Sequence, residues 1–212
     1  MKTNKQVFKG TVYSRTRVKN NIKRVYDLSD IKDKEWYLKA HKFAIKISTN
    51  IDKQRLNKEQ RLNIAIGLIA SLSPLKRWNC NKTLALQASK GNIKGHAKQF
   101  LNKATLIYNS NGSENQIKSI LNGNKITAFY ENIKYYKNNN TITIDRHALS
   151  IAVGCWINES EYNCITDKQY SFFKDCYLYT SKELAITGLE LQAITWVTFR
   201  KIKTSFKKGL RS

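Results

Sequence analysis

The 212-residue chain carries 38 Lys and Arg residues against 15 Asp and Glu, which gives a formal net charge of +23. An apolar fraction of 41% is enough for a folded core and excludes an intrinsically disordered chain. No apolar run has the length of a membrane-spanning helix. A positive excess of this size is typical of proteins that bind a polyanion, so a nucleic acid is the expected partner and a membrane is not.

Residues 1–34 are dense in Lys and Arg and show little helical periodicity, so we predict a basic N-terminal arm. Such an arm either becomes ordered on DNA or stays solvated and aids solubility, and the pattern leaves both interpretations open. The first thirty residues lack the apolar stretch of a signal peptide, which predicts a cytoplasmic protein.

From residue 35 onward the apolar spacing becomes helical. Asn57 and Gln60 have the spacing of a capping box, and the chain after them is apolar nearly all round from Ala65 to Ala70. This pattern predicts a central buried helix, closed by Pro74. Further helices are predicted over residues 80–90, 97–109, 114–121, 125–137, 146–156, 167–180 and 189–204. The one strand-like run is Thr141 to Ile144, so the predicted fold is all-α, with residues 35–212 forming a helical domain of two lobes.

The cysteines and two of the histidines carry no recognisable site. The cysteines lack the close spacing of a zinc or iron–sulfur centre, so we expect unpaired thiols and no metal or other cofactor. His41 and His96 have no evident partners in the sequence.

A glycine turn, Leu121 to Lys125, separates two predicted helices. Gly123 permits the backbone conformation that a tight helical hairpin needs. The N–H groups at the start of the following helix favour a phosphate oxygen, and Lys125 adds a cation. An ordinary glycine that ends the first helix explains the same pattern, so both interpretations stay open.

Asp145 ends the apolar run at Ile144 and precedes Arg146 and His147. Aspartate is a favoured N-cap, and capping holds its carboxylate in a fixed position. The helix N-terminus and Arg146 favour the charged carboxylate, which suits the cationic sugar formed when a glycosidic bond breaks. Capping and catalysis are therefore compatible at Asp145, and His147 is a secondary candidate for orienting a phosphate or a water.

The loop from Ser71 to Asn79 leaves the most buried predicted helix and contains Lys76 and Arg77 beside Leu75 and Trp78. A wedge side chain that fills the gap left by an extruded base has this setting. A helix end with Trp78 folded back onto the core is equally consistent with the sequence.

The late predicted helix places Leu191, Ile194 and Val197 on one face. Gln192 and Trp196 lie on another face and are candidates for a pocket that receives a base. A C-terminal helix that closes the core is the simpler interpretation of the same spacing.

These motifs resemble the helix-hairpin-helix DNA glycosylase superfamily over about residues 56–200. The pattern of that superfamily is a glycine-containing hairpin, a helix opened by Lys-Thr-Ala or a similar sequence, and an apolar run ending in an aspartate before another helix. The phrases Thr-Ile-Asp-Arg-His-Ala and Gln-Ala-Ile-Thr-Trp-Val-x-x-Arg look more like a phage branch, related to enzymes that attach amino acids or polyamines to hypermodified thymine. The corresponding positions are Gly123, Lys125, Thr127, Ala128 and Asp145.

The resemblance implies a monomeric enzyme that binds double-stranded DNA in a groove between the two lobes and flips a modified or damaged base. The candidate catalytic residues are Asp145, which would stabilise the sugar cation or activate water, and Lys125, which would hold the DNA backbone near the target base. Ile126 stands where the family has its lyase lysine, with Lys125 one place earlier, so a monofunctional glycosylase is expected. The other candidate residues are Gly123, Asn124, Thr127, Arg146, His147, Lys76, Arg77 and Trp78 for DNA binding, and Gln192 and Trp196 for the base pocket.

Two alternatives stay open at this point. One is a transferase on the same fold, which would attach an amine or amino acid to a hypermodified thymine in phage DNA. The other is a non-enzymatic DNA-binding protein that uses the same scaffold.

Overall fold

The computed structural model describes residues 4–52, 54–137 and 141–208. Within these ranges the chain forms eleven α-helices, one 3-10 helix (Ile31–Glu35) and one two-stranded antiparallel sheet of β1 (Lys5–Phe8) and β2 (Thr11–Ser14). The predicted all-α fold class is confirmed. The helices are α1 (Arg15–Tyr26), α2 (Trp36–Ser48), α3 (Lys58–Ser71), α4 (Trp78–Ser89), α5 (Lys98–Tyr108), α6 (Glu114–Leu121), α7 (Asn124–Lys134), α8 (Arg146–Val153), α9 (Glu159–Asn163), α10 (Asp167–Glu183) and α11 (Gly188–Lys208).

The helices from α2 to α8, together with α10 and α11, agree with the predicted helices, and their ends differ by a few residues. Helix α9 was not predicted, because five residues are too few to show an apolar period. It is nevertheless stabilised by a capping box in which the side chains of Asn158 and Glu161 each accept a hydrogen bond from the other residue's backbone N–H.

The chain divides into two compact units. Unit 1 consists of Met1–Tyr37 and Asn138–Ser212, and unit 2 consists of Leu38–Lys137. The predicted boundary at residue 34 therefore lies close to one end of unit 2, but the residues before it belong to unit 1 with the C-terminal helices.

Helix α3 is the centre of unit 2. Every residue from Asn63 to Ser71 is buried, and the helix packs against α4, α5, α6 and α7. Its start is the predicted capping box of Asn57 and Gln60. At Gly67 the absence of a side chain allows a close approach, since a Cβ there would lie 2.9 Å from the side chains of both Ile107 and Ile117. The predicted central buried helix is confirmed.

The N-terminal residues are folded, which differs from the predicted basic arm. Residues Val18, Ile22 and Val25 of α1 are fully buried at helical spacing, and Phe8 of β1 packs edge-to-face on Phe173 of α10. Helix α1 contacts α8, α10 and α11. This helix could not be predicted from apolar spacing, because Lys and Arg fill its solvent-facing positions and leave only a narrow apolar stripe.

In the described part of the chain, no helix is both long and apolar enough to span a bilayer. Cys80, Cys155, Cys164 and Cys176 are all free thiols.

Candidate functional site

Asp145 is the N-cap of α8, as predicted. Its backbone is extended, and its carboxylate oxygen Oδ1 accepts a hydrogen bond of 2.8 Å from the N–H of Ala148. The side chain is partly buried. One oxygen of the carboxylate is thereby fixed by the helix that follows it.

The segment before Asp145 is not the predicted strand, because two tyrosine hydroxyls take the place of a strand partner. The hydroxyl of Tyr170 accepts from the N–H of Ile144 at 3.2 Å and donates to the carbonyl of Ile142 at 3.1 Å. The hydroxyl of Tyr162 donates to the carbonyl of Ile144 at 2.6 Å. Burial, and then the nearby charge of Asp145, raise the pKa of Tyr162 above its usual value, so this hydroxyl keeps its proton.

The second oxygen of the Asp145 carboxylate is held by α11. The indole Nε1–H of Trp196 donates a hydrogen bond of 2.8 Å to Oδ2 of Asp145. The two sequence phrases that carry the phage-branch resemblance therefore meet in space. With both oxygens held by N–H donors, the carboxylate has a single orientation, and each oxygen keeps a lone pair for a ligand.

Aromatic and cationic groups surround this hydrogen bond. The ring of Trp36 packs edge-to-face on Trp196 with centroids 5.4 Å apart, and the guanidinium of Arg200 lies 4.7 Å from the Trp196 ring centroid. The ring of His147 lies 6.3 Å from that of Trp196 and also packs near Trp156 and Phe199. The site combines one carboxylate with flat aromatic surfaces and a cation.

Two predicted residues of this site have contacts that differ from their expected roles. Gln192 is 4% exposed, and its Oε1 accepts a 2.5 Å hydrogen bond from the hydroxyl of Tyr37, so only Trp196 of the predicted base pocket is partly open. The Nε of Arg146 pairs with Glu159 at 3.3 Å, and its guanidinium lies 5.0 Å from the Trp156 ring centroid. Arg146 therefore already has an anionic partner inside unit 1.

The predicted helical hairpin is present in unit 2. Helix α6 ends at Leu121, α7 begins at Asn124, and only Asn122 and Gly123 connect them. Gly123 has φ +100°, a conformation that favours glycine, and a Cβ there would meet nothing within 4 Å. The turn therefore needs a glycine for its backbone angle, and its outer side is open. Asn124 is exposed, while Lys125 and Thr127 are partly buried.

Ion pairs between α6 and α7 hold the hairpin together. Lys134 lies 2.6 Å from Glu114, and Lys118 pairs with Glu131. Burial would raise the pKa of Glu114, but hydrogen bonds from Lys134 and Tyr135 outweigh it and lower that pKa below its usual value. The carboxylates of the hairpin are thus occupied by its own lysines.

In the loop between α3 and α4, the two candidate wedge residues, Leu75 and Trp78, differ in their exposure. Trp78 packs edge-to-face on Phe43 with centroids 6.2 Å apart and is partly buried. Leu75 is 72% exposed and has φ +60°, a left-handed conformation that a leucine rarely adopts. Leu75 is therefore the exposed apolar side chain of this loop, although no feature of the sequence favoured it over Trp78.

Two contacts connect this loop to the loop before α5. The Nζ of Lys76 donates to the carbonyl of Gly95 at 3.3 Å. The Nε2–H of His96 donates to the carbonyl of Pro74 at 2.9 Å, and the N–H of Ala97 donates to Nδ1 of the same ring at 2.8 Å. His96, which has no evident partner in the sequence, thus fixes the position of the loop that carries Leu75.

Three helix starts in unit 2 share a feature that the sequence indicated only at the start of α7. Helices α4, α5 and α7 begin without a side-chain cap and without an acid in the first turn, and their N-caps are Arg77, Ala97 and Gly123. The starts of α4 and α5 are joined through their preceding loops, and the Nζ of Lys103 on α5 donates to the carbonyl of Leu121, at the turn before α7. Neighbouring helix starts of this kind are suited to phosphate groups, because their N–H groups and dipoles attract anions.

Comparisons with known proteins identify a family but no activity. The model of a family described as Family of unknown function (DUF7178) matches residues 4–203. No curated protein and no solved structure matches the chain.

Proposed function

The chain belongs to this family of unknown function, and from its own geometry we propose that it is a DNA base-processing enzyme of the glycosylase type, acting on a base flipped out of the duplex. The observation that carries the proposal is the carboxylate of Asp145, held by the N–H of Ala148 on one oxygen and by the indole of Trp196 on the other. The resemblance to helix-hairpin-helix DNA glycosylases supports the same reaction.

In the proposed reaction, the bond between C1′ of the sugar and the base nitrogen breaks, and its electron pair leaves with the base. The sugar ring then carries positive charge, which the fixed carboxylate of Asp145 stabilises. Water adds to C1′ and loses a proton, while the departing base gains one. The products are a free base and an abasic sugar, and no cofactor takes part.

The fixed orientation of the Asp145 carboxylate matters for this reaction. A free carboxylate would have to reorient as charge develops on the sugar, whereas one held by two N–H donors is already in position. The rings of Trp36 and Trp196 add flat surfaces on which a flipped base could stack. In this proposal, unit 1 supplies the groups that take part in the bond cleavage.

Unit 2 supports the DNA-binding part of the proposal. Between Glu59 and Glu114 the sequence has eight Lys and Arg residues and no Asp or Glu. The uncapped starts of α4, α5 and α7 lie within or directly after this stretch. We therefore assign the phosphate contacts to this part of unit 2, with the turn at Gly123 and Lys125 among them.

Leu75 is the residue that we assign to the gap left by the flipped base. It is the exposed apolar side chain of its loop, and its strained backbone is held by the contacts of Lys76 and His96. Backbone strain that neighbouring contacts maintain is common at functional positions. Trp78, packed on Phe43, is better suited to supporting the loop than to entering DNA.

The test is a release assay on duplexes that contain uracil, damaged bases or hypermodified thymine. A glycosylase releases the free base, a transferase incorporates an added amine, and a DNA-binding protein does neither. The Asp145→Asn variant should lower the rate of base release by about a hundredfold to a thousandfold, the usual effect of losing a group that stabilises transition-state charge.

The same variant should bind DNA as tightly as the wild type or more tightly, because it removes a negative charge. Asp27→Asn is the matched control, since Asp27 is exposed at the end of α1 and its loss changes the net charge equally. Undiminished base release by Asp145→Asn would exclude Asp145 as the catalytic residue.

A further inference from the structure

The loop between α4 and α5 and its two ends carry three lysines of the basic stretch between Glu59 and Glu114, and none of the three has been given a specific role above. Lys90 is the C-cap that follows α4, Lys94 lies in the loop, and Lys98 begins α5. All three are exposed. Within the described part of the chain, none of the three forms an ion pair with an acid. Their charges are thus available to a partner.

The acids of unit 2 do not offset these charges. Glu59 and Glu114 pair with Lys134, and Glu131 pairs with Lys118. The remaining acid of the unit, Asp52, accepts hydrogen bonds from the backbone N–H groups just after it. Since these carboxylates are engaged elsewhere, the loop keeps a strongly positive local potential.

The loop is also fixed beside Leu75. The bonds from Lys76 to Gly95 and from His96 to Pro74 join it to the loop that carries the leucine. Any duplex that Leu75 enters therefore passes close to Lys94 and Lys98, which flank Gly95 and His96. Lys90 lies at the other end of α4, about 18 Å from Trp78, within reach of phosphates farther along the same duplex. The partner that fits three unpaired cations at this position is a phosphodiester backbone.

We propose that the segment from Lys90 to Lys98 is a second DNA contact, which binds backbone phosphates next to the point where Leu75 enters the duplex. The proposal rests on the proposed function, because it takes a DNA duplex as the partner. It adds a surface that is separate from the hairpin turn at Gly123. Its role is to position the duplex, and it has no part in breaking the glycosidic bond.

The test is the salt dependence of DNA binding by the triple variant Lys90→Ala, Lys94→Ala, Lys98→Ala. Each lysine that neutralises a phosphate contributes about 0.9 to the slope of log affinity against log salt, so the slope should fall by about 2 to 3. The matched control is the triple variant Lys168→Ala, Lys174→Ala, Lys182→Ala, which removes the same charge from α10. Its slope should stay close to that of the wild type.

The outcomes separate this proposal from the proposed function. If the wild type binds DNA and both triple variants have the same slope, the second contact is wrong while the proposed function stands. If the wild type binds no duplex at all, the proposed function is wrong, and the second DNA contact is wrong with it. With base release measured at saturating DNA, the loop variant should match the wild type, and a loss of rate there would contradict a purely positioning role.

Discussion

Unit 1 and unit 2 differ in what their charges do. Unit 2 spans residues 38–137 and carries 18 Lys and Arg against 4 Asp and Glu, whereas unit 1 carries 20 against 11. In unit 2, three of those acids are paired with hairpin lysines, and the loops and helix starts stay basic. In unit 1, one carboxylate is held by N–H donors among aromatic rings. Under the proposed function, this difference corresponds to DNA binding by unit 2 and bond cleavage in unit 1.

After Asp145→Asn, the largest expected effect tests the chemistry proposed for unit 1. Trp196→Phe keeps an aromatic ring on α11 but removes the N–H that donates to Asp145. The rate of base release should fall about tenfold to a hundredfold, because a hydrogen bond to a charged group usually contributes about 1.5–3 kcal/mol. Single-turnover release at saturating DNA measures this, and affinity for DNA should not change.

Trp36→Phe is the control for that variant, since it keeps an aromatic ring packed on Trp196 and leaves the hydrogen bond to Asp145 in place. It should retain most of the rate. Equal rates for the two variants would show that the indole N–H of Trp196 has no specific role.

The next largest effect tests the role proposed for unit 2 in DNA binding and base flipping, at Leu75. Leu75→Gly removes the exposed side chain and also relieves the left-handed backbone. The free energy of unfolding should therefore rise by about 0.5–1 kcal/mol, while base flipping falls about tenfold. Thermal unfolding and the fluorescence of a base analogue at the target position measure the two quantities.

Leu106→Gly is the control for Leu75→Gly, and we expect it to have the opposite effect on stability and none on base flipping. Leu106 is 59% exposed on α5, where the backbone is helical. The glycine should destabilise the protein by about 1 kcal/mol and leave flipping unchanged. If Leu75→Gly lowers stability as Leu106→Gly does, the left-handed backbone at Leu75 stores no strain.

A smaller effect concerns the ion pair that holds the hairpin. Since the pKa of Glu114 is lowered in the fold, its charge stabilises the protein above the usual carboxyl range, and this contribution is lost as the pH falls through the folded pKa. A double-mutant cycle of Glu114→Gln and Lys134→Met should give a coupling of about 1 kcal/mol near neutral pH. In acid, below that folded pKa, the coupling should vanish. A coupling that persists in acid would mean that the charge of Glu114 is not what holds the hairpin.

The smallest effect is a pH dependence at the Leu75 loop. Burial lowers the pKa of His96, the hydrogen bond to Pro74 partly opposes this, and the charge of Lys76 lowers it further. Its neutral ring therefore stabilises the loop fully above the ordinary histidine pKa of 6.5, and the contribution is lost as the pH falls through the folded pKa. Flipping by the wild type should weaken in mild acid, by about 0.5 kcal/mol.

His96→Gln should remove most of that pH dependence, because glutamine does not titrate there and can still donate to the carbonyl of Pro74. Fluorescence titrations of base flipping at several pH values compare the two proteins. An identical pH profile for both would assign the dependence to another group.

Much of the helical fold could be predicted from local patterns. Apolar spacing located the helices from α2 to α8 and the last two long ones, and the caps at Asn57 and Asp145 lie where the sequence placed them. The exceptions have physical reasons. In α1 the many charged residues leave only a narrow buried apolar stripe, which is too weak a pattern to predict a helix. The run that ends at Ile144 has hydrogen bonds to Tyr162 and Tyr170 instead of to a neighbouring strand.

The sequence by itself determined which side chain would be the fixed acid, because capping depends on only the next three residues, and Asp145 precedes a helix. It also determined the positive charge and the glycine turn at Gly123. Only the tertiary structure decided that Trp196 holds the second oxygen of Asp145 and that His96 braces Leu75. These contacts join residues on different elements of a unit, and no local spacing encodes which helices pack together.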